Sequence, residues 1–132
     1  MPELNEAARA KMYVGYSDMG FLLGALYARR IGRPVHGPMP IEIGRKDQGV
    51  CVARSLEWMA KRSRSVLEPH IDGQPVVAMN LAILTAMIGT PWLPDFDGAV
   101  LFLEDIAEAV IRLERIMKSG VHLTVDANQR VT

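Results

Sequence analysis

Val14-Gly15-Tyr16-Ser17-Asp18-Met19-Gly20-Phe21-Leu22-Leu23 sets a serine where a short apolar strand turns into a helix. Such a turn lifts a side chain clear of a sheet. It also aims the first free helix N–H groups at the same point, so a serine there can be a nucleophile with an oxyanion site beside it. The surrounding residues decide the fold. Met12 to Gly15 reads as a buried strand, Asp18 as the cap of a helix, and Phe21, Leu22, Ala25 and Leu26 recur at helical spacing. Arg29 and Arg30 suit the negative end of that helix, Gly32 a left-handed cap, and Pro34 stops propagation. Pro34 to His36 is then a second short strand. Strand–helix–strand is the unit of a parallel sheet, and the predicted class is α/β: a partial parallel sheet with flanking helices.

Outward from this unit, Asn5 to Lys11 reads as the end of a polar helix. Residues 37–49 form a loop rich in Gly and Pro. Val50 to Arg62 reads as a helix that buries Val52, Leu56, Met59 and Ala60, with Glu57 and Lys61 as an i,i+4 pair. Ser63 to Pro75 loses periodicity and looks like a crossover. Asn80 to Ile88 is an apolar helix closed by Gly89, and Ala99 to Leu103 a buried strand. Asp105 to Lys118 is an amphipathic helix ended by Gly120, and the tail from Val121 is a weak strand at best.

At 132 residues, with 49% hydrophobic and 23% charged residues, the chain can form one modest domain or pieces of two. Fifteen basic residues balance fifteen acidic ones, which leaves no electrostatic footprint for nucleic acid. The acidic, polar start does not fit a secretory signal, and no apolar run has membrane-spanning length. These features predict a cytoplasmic protein with no membrane partner. The single cysteine, Cys51, excludes an internal disulfide and reads as a small core residue on a helix.

In open α/β sheets, sites collect at the C-terminal ends of strands. Ser17 lies just past one such end. Glu104 lies at another, closing the apolar run Ala99-Val100-Leu101-Phe102-Leu103 before Asp105. A serine at a helix start is more often a cap, and an acid there is commonly a dipole partner. A generic α/β-hydrolase elbow needs Gly-x-Ser-x-Gly, and here Met19 stands where the second glycine belongs. No Gly-x-Gly-x-x-Gly opens a helix, which argues against dinucleotide binding.

Read together, Gly15-Tyr16-Ser17-Asp18, His36-Gly37-Pro38-Met39, Asn80-Leu81, Ile88-Gly89-Thr90-Pro91-Trp92, Leu101-Phe102-Leu103-Glu104-Asp105 and Arg112 with Arg115 occur in one order. Over about residues 10–118 that order resembles the LD-carboxypeptidase (muramoyltetrapeptide carboxypeptidase) family of serine peptidases, which includes the microcin C self-immunity peptidases. Ala78-Met79-Asn80 departs from the family's Gly-Gly-Asn, and Ile111-Arg112-Leu113-Glu114-Arg115 from its Tyr-Arg-Ile-Asp-Arg.

The resemblance implies a cytoplasmic enzyme of peptidoglycan recycling that uses neither metal nor cofactor. It cleaves the bond to terminal D-alanine in a murein tetrapeptide. Ser17 would be the nucleophile, Glu104 the triad acid and the Asp18 backbone N–H an oxyanion donor, with Tyr16, His36 and Asn80 lining the site. Residues 1–66 would be what remains of the N-terminal nucleophile-bearing domain, and 67–132 the start of the C-terminal domain with a divergent tail. The family's base histidine comes from a later segment, and its second oxyanion donor from an upstream Arg-Gly-Gly loop. Neither has a counterpart here. His36 matches a family position that is not the base, His70 falls in the crossover and His122 in the tail. The alternative expectation is therefore a catalytically incomplete remnant that binds a partner or self-associates through open sheet edges.

Overall fold

A computed structural model describes residues 4–46, 49–67 and 73–104. Helix α1 (Glu6–Ala10) is capped by Asn5, whose side chain accepts from the Ala8 N–H. Strand β1 (Met12–Gly15), helix α2 (Met19–Ala28) and strand β2 (Arg33–His36) follow, and β1 and β2 pair in parallel with Gly15 opposite His36. Helix α3 (Gly49–Lys61) leads towards strand β3 (Val76–Asn80), helix α4 (Leu81–Met87) and strand β4 (Val100–Glu104). β3 and β4 pair in parallel with Asn80 opposite Glu104. The chain is thus mixed α/β, as expected, but its described strands form two separate two-stranded parallel sheets.

Several local expectations change. Residues 37–49 contain a 3₁₀ turn at Pro40–Gly44, and the crossover another at Arg64–Val66. β3 was not expected: only the four apolar residues Val76 to Met79 precede Asn80, too short a run for periodicity to mark as a strand. The join is made by Asn80, whose Oδ1 accepts from the Ala82 N–H at 2.9 Å. On α2 the left-handed position at the C-terminus is taken by Arg30 (φ 53°). The Ile31 N–H reaches Leu26 O and the Arg30 N–H Tyr27 O, both at 2.9 Å. Gly32 is also left-handed, two residues later.

α3 buries Val52 alone; Leu56 and Ala60 are exposed, and Glu57 and Lys61 do not close to an ion pair. Cys51 is exposed, not in a core. On α2, Phe21 and Leu22 face outward, while Leu23, Gly24, Ala25 and Leu26 are buried. The predicted helix 105–118, the tail, His70 and His122 lie outside the described residues.

The main core gathers Val77, Met79, Leu81, Ile83, Leu84, Met87 and Leu101 around β3 and α4. α2 joins it through a glycine face. A Cβ on Gly20 would stand 3.2 Å from Ile83 Cγ2, and one on Gly24 would stand 2.9 Å from Met87 Cε and 3.2 Å from Met79 Cε. Arg29, at the end of α2, lies 4.7 Å from the centre of the Trp92 ring and ties the helix to the loop beyond α4. α2 thereby links the sheet it grew from to the second sheet.

Gly15 has no room for a side chain. A Cβ there would stand 2.7 Å from Met19 Cβ, because α2 turns back sharply over the strand end. Gly15→Ala is expected to cost about 1–3 kcal/mol, the usual cost of forcing an atom into a packed site. An unchanged urea midpoint would mean that the turn relaxes freely.

Candidate active site

Ser17 occupies the left-handed region at φ 54°. Of the three non-glycine residues with positive φ among the described residues, Arg30 and Arg62 follow helix ends. Ser17 alone sits between a strand and a helix. A non-glycine residue held so costs roughly 1–2 kcal/mol, so the turn around it must be held firmly. The Met19 N–H donates to Tyr16 O at 3.2 Å, the Gly20 N–H to Ser17 O at 2.8 Å and the Phe21 N–H to Asp18 O at 3.2 Å. The Ser17 side chain is exposed and, among the described residues, makes no hydrogen bond; it is not a cap.

Asp18 holds the cap position of α2 but makes no side-chain cap hydrogen bond, contrary to expectation, because its backbone is already helical (φ −57°, ψ −27°). A capping side chain needs extended backbone to fold back on the first turn. The Asp18 backbone N–H has no acceptor among the described residues. A free donor adjacent to an exposed serine is the element an oxyanion site requires.

Glu104 closes β4, and its Oε2 lies 3.4 Å from His36 Nε2. This contact joins the end of one sheet to the end of the other. It brings the C-terminal ends of both parallel sheets to one side of the molecule, where Ser17 also emerges from β1. The carboxylate is partly open to solvent (42%), whereas the imidazole is more enclosed (18%). His36 Nδ1 is buried with no partner. Asn80, placed opposite Glu104 by the strand register, spends its side chain on capping α4.

The sequence reading missed Glu42. It is buried in the 3₁₀ turn, and its Oε1 accepts a 2.6 Å hydrogen bond from the Tyr16 hydroxyl, with Arg45 Nη1 at 3.4 Å. In Pro40-Ile41-Glu42-Ile43-Gly44 a carboxylate sits between two isoleucines, and hydrophobicity alone would bury the isoleucines. They are exposed instead, at 76% and 59%. The hydrogen bond to Glu42, then burial and the nearby carboxylate charge, hold the Tyr16 phenol above its ordinary pKa, against an opposing pull from Arg45.

The phenol thus keeps its proton to higher pH in the folded chain than in the unfolded one. Its stabilising contribution is intact below about pH 10 and is lost as pH rises through the folded-state value. The stability difference between the wild-type chain and Tyr16→Phe should therefore be flat below that pH and shrink above it, as read from urea midpoints.

A groove of about 880 Å³ opens between β2, α3, the second 3₁₀ turn and β3, walled in part by His36, Ser55, Trp58 and Arg64. Neither Ser17 nor Glu104 lines it. Among the described residues no cluster of side chains is arranged to hold a metal ion, and no helix is long and apolar enough to cross a membrane.

A parallel α/β arrangement with a left-handed serine at a strand–helix junction is found here in the setting of the carboxypeptidase fold. The chain superposes on a crystal structure of muramoyltetrapeptide carboxypeptidase from Oxalobacter formigenes with a TM-score of 0.66 at 30% identity, covering 84% of this chain and 42% of that one. Residues 74–123 match the LD-carboxypeptidase C-terminal domain. A Bacillus subtilis protein named as a murein peptide carboxypeptidase is 31% identical over 128 residues, 86% of this chain and 40% of that protein. The murein tetrapeptide carboxypeptidase of Pseudomonas aeruginosa is 28% identical over 141 residues, 94% of this chain and 45% of that protein. The chain is similar to LD-carboxypeptidases over most of its own length, and it spans less than half the length of these relatives. A structure of MccF in complex with glutamyl sulfamoyl guanosine shares the fold (TM-score 0.62, 22% identity, 87% of this chain and 47% of that one).

Proposed function

We propose that this chain carries the nucleophile and acid of a serine LD-carboxypeptidase, which cleaves the amide to terminal D-alanine in murein tetrapeptides. The observation that supports it most is the Ser17 turn: a strained, exposed serine followed by an unpartnered N–H. In this reading Ser17 Oγ attacks the carbonyl carbon, and the Asp18 N–H receives the developing oxyanion. Glu104 orients the imidazole that takes the serine proton and returns it to the departing D-alanine amine. Water then releases the acyl group. His36 and the groove it borders would receive the rest of the peptide. Work on cytoplasmic recycling intermediates, with no nucleic acid or membrane partner, belongs to the same reading.

One observation favours the second reading, an incomplete site. Among the described residues no imidazole is hydrogen-bonded to Ser17, and His36 directs Nε2 at Glu104 while its Nδ1 is buried. A serine hydroxyl at neutral pH is a poor nucleophile without a base. The chain would then act through its surface. Self-association fits sheet edges that no other described strand pairs with, and the exposure of Ile41 and Val50. D-alanine release from a murein tetrapeptide, measured beside Ser17→Ala, decides between the two. Release that the variant lacks supports the enzyme; none from the folded chain supports the incomplete site.

A further inference from the structure

The structure assigns Glu42 the role of a positioning residue for the Ser17 turn, exerted through the hydroxyl of Tyr16. This rests on the reading of Ser17 as nucleophile and extends it to a residue outside every motif that carries the family resemblance. Tyr16 is the last residue before the left-handed serine, and its carbonyl accepts the first hydrogen bond of the turn, from the Met19 N–H. Whatever fixes Tyr16 therefore fixes where the turn begins. Its side chain is held by one hydrogen bond, 2.6 Å long, to the buried Glu42 carboxylate. A short bond to a charged acceptor away from solvent is among the stronger and more directional contacts a hydroxyl can make.

The partner is itself well placed. Glu42 lies inside a 3₁₀ turn whose ends are tied by the Glu42 N–H to Met39 O and the Arg45 N–H to Glu42 O, each at 3.0 Å. Arg45, on the solvent side, supplies the compensating charge. The turn leaves Ile41 and Ile43 in water while sealing a carboxylate inside, the reverse of hydrophobic sorting. The Tyr16 contact is the interaction that this orientation secures. Glu42 thus touches no substrate atom in the proposed reaction. It holds the residue that holds the serine.

Amide hydrogen exchange on the whole chain tests this, with Glu42→Ala, Glu42→Gln and Tyr16→Phe. Met19 and Gly20 N–H should lose protection by about tenfold or more in Glu42→Ala and Tyr16→Phe, while amides of α4 stay protected. Glu42→Gln, which keeps an acceptor and the side-chain shape, should lie between wild type and Glu42→Ala. Unchanged protection at Met19 and Gly20, or equal losses in the turn and in α4, would overturn the role.

The rate at which a fluorophosphonate labels Ser17 gives the second readout. It should fall by about tenfold in Tyr16→Phe and Glu42→Ala, and by no more in the double variant, because both act through one contact. Additive losses would overturn the shared path. Labelling that is equal in wild type and Ser17→Ala would instead sink the nucleophile reading, and the exchange data would still decide the role of Glu42.

Discussion

If the chain works as the proposed carboxypeptidase, Ser17→Ala is expected to abolish D-alanine release, and Ser17→Gly to abolish it while making the chain more stable. The first effect is the larger. Removing a serine nucleophile from a working triad costs on the order of 10⁶ in turnover, which would leave nothing measurable here. Undiminished release from either variant would remove Ser17 from the chemistry. The second effect comes from the backbone alone. At φ 54° the serine Cβ crowds its own peptide. Glycine escapes that cost of roughly 1–2 kcal/mol but gives back about 0.5–1 kcal/mol as extra freedom in the unfolded chain. A net gain of about 0.5–1 kcal/mol should appear in the urea midpoint of Ser17→Gly. Alanine keeps the Cβ and should gain nothing. A glycine variant less stable than wild type would mean that the Ser17 hydroxyl supports the fold, which is the opposite of a side chain reserved for catalysis.

The second large effect concerns stability only. Leu84 is fully buried within the cluster formed by Val77, Met79, Leu81, Ile83, Met87 and Leu101. Truncation to alanine removes its transfer energy and leaves a cavity among neighbours fixed by two strands and a helix. The expected loss is about 2–5 kcal/mol, against a total of about 5–15 kcal/mol for an ordinary domain. Leu56→Ala is the matched control. Its side chain is 51% exposed on α3, and the change should stay within about 0.5 kcal/mol. A Leu56→Ala loss as large as that of Leu84→Ala would place α3 against a core.

That pair of leucines also marks how far the sequence could be read. The unit from Met12 to His36 was legible because its signals are local: a short apolar strand, a spaced helix face, a proline that ends it. Leu56 was misplaced because helical spacing reports a face without saying what covers it. β3 was hidden for a related reason. Val76 to Met79 are all apolar although Val76 is 38% exposed, so the alternation of burial along the strand is not written in its residue types, and the strand runs straight into α4 at Asn80. Ser17 and Glu104 stood out as polar residues at the ends of apolar runs, and their strands do end on one side of the molecule. The meeting of His36 with Glu104 depends on how two sheets pack, which no window of sequence contains. Glu42 was illegible for the strongest reason: the isoleucines beside it argue for the opposite orientation, and a tyrosine 26 residues earlier decides it.

The bare face of α2 has a consequence for tuning. Gly20 meets Ile83, and Ile83 stands in the helix that grows directly out of β3, the strand paired with that of Glu104. A methyl group at Gly20 could be seated only if Ile83 gave way. Some of that shift would pass along α4 and β3 to the carboxylate. The glycine works as a shim of zero thickness between α2 and α4, and a small side chain there would reset the spacing between the Ser17 turn and Glu104 while leaving the chemical identity of each group untouched.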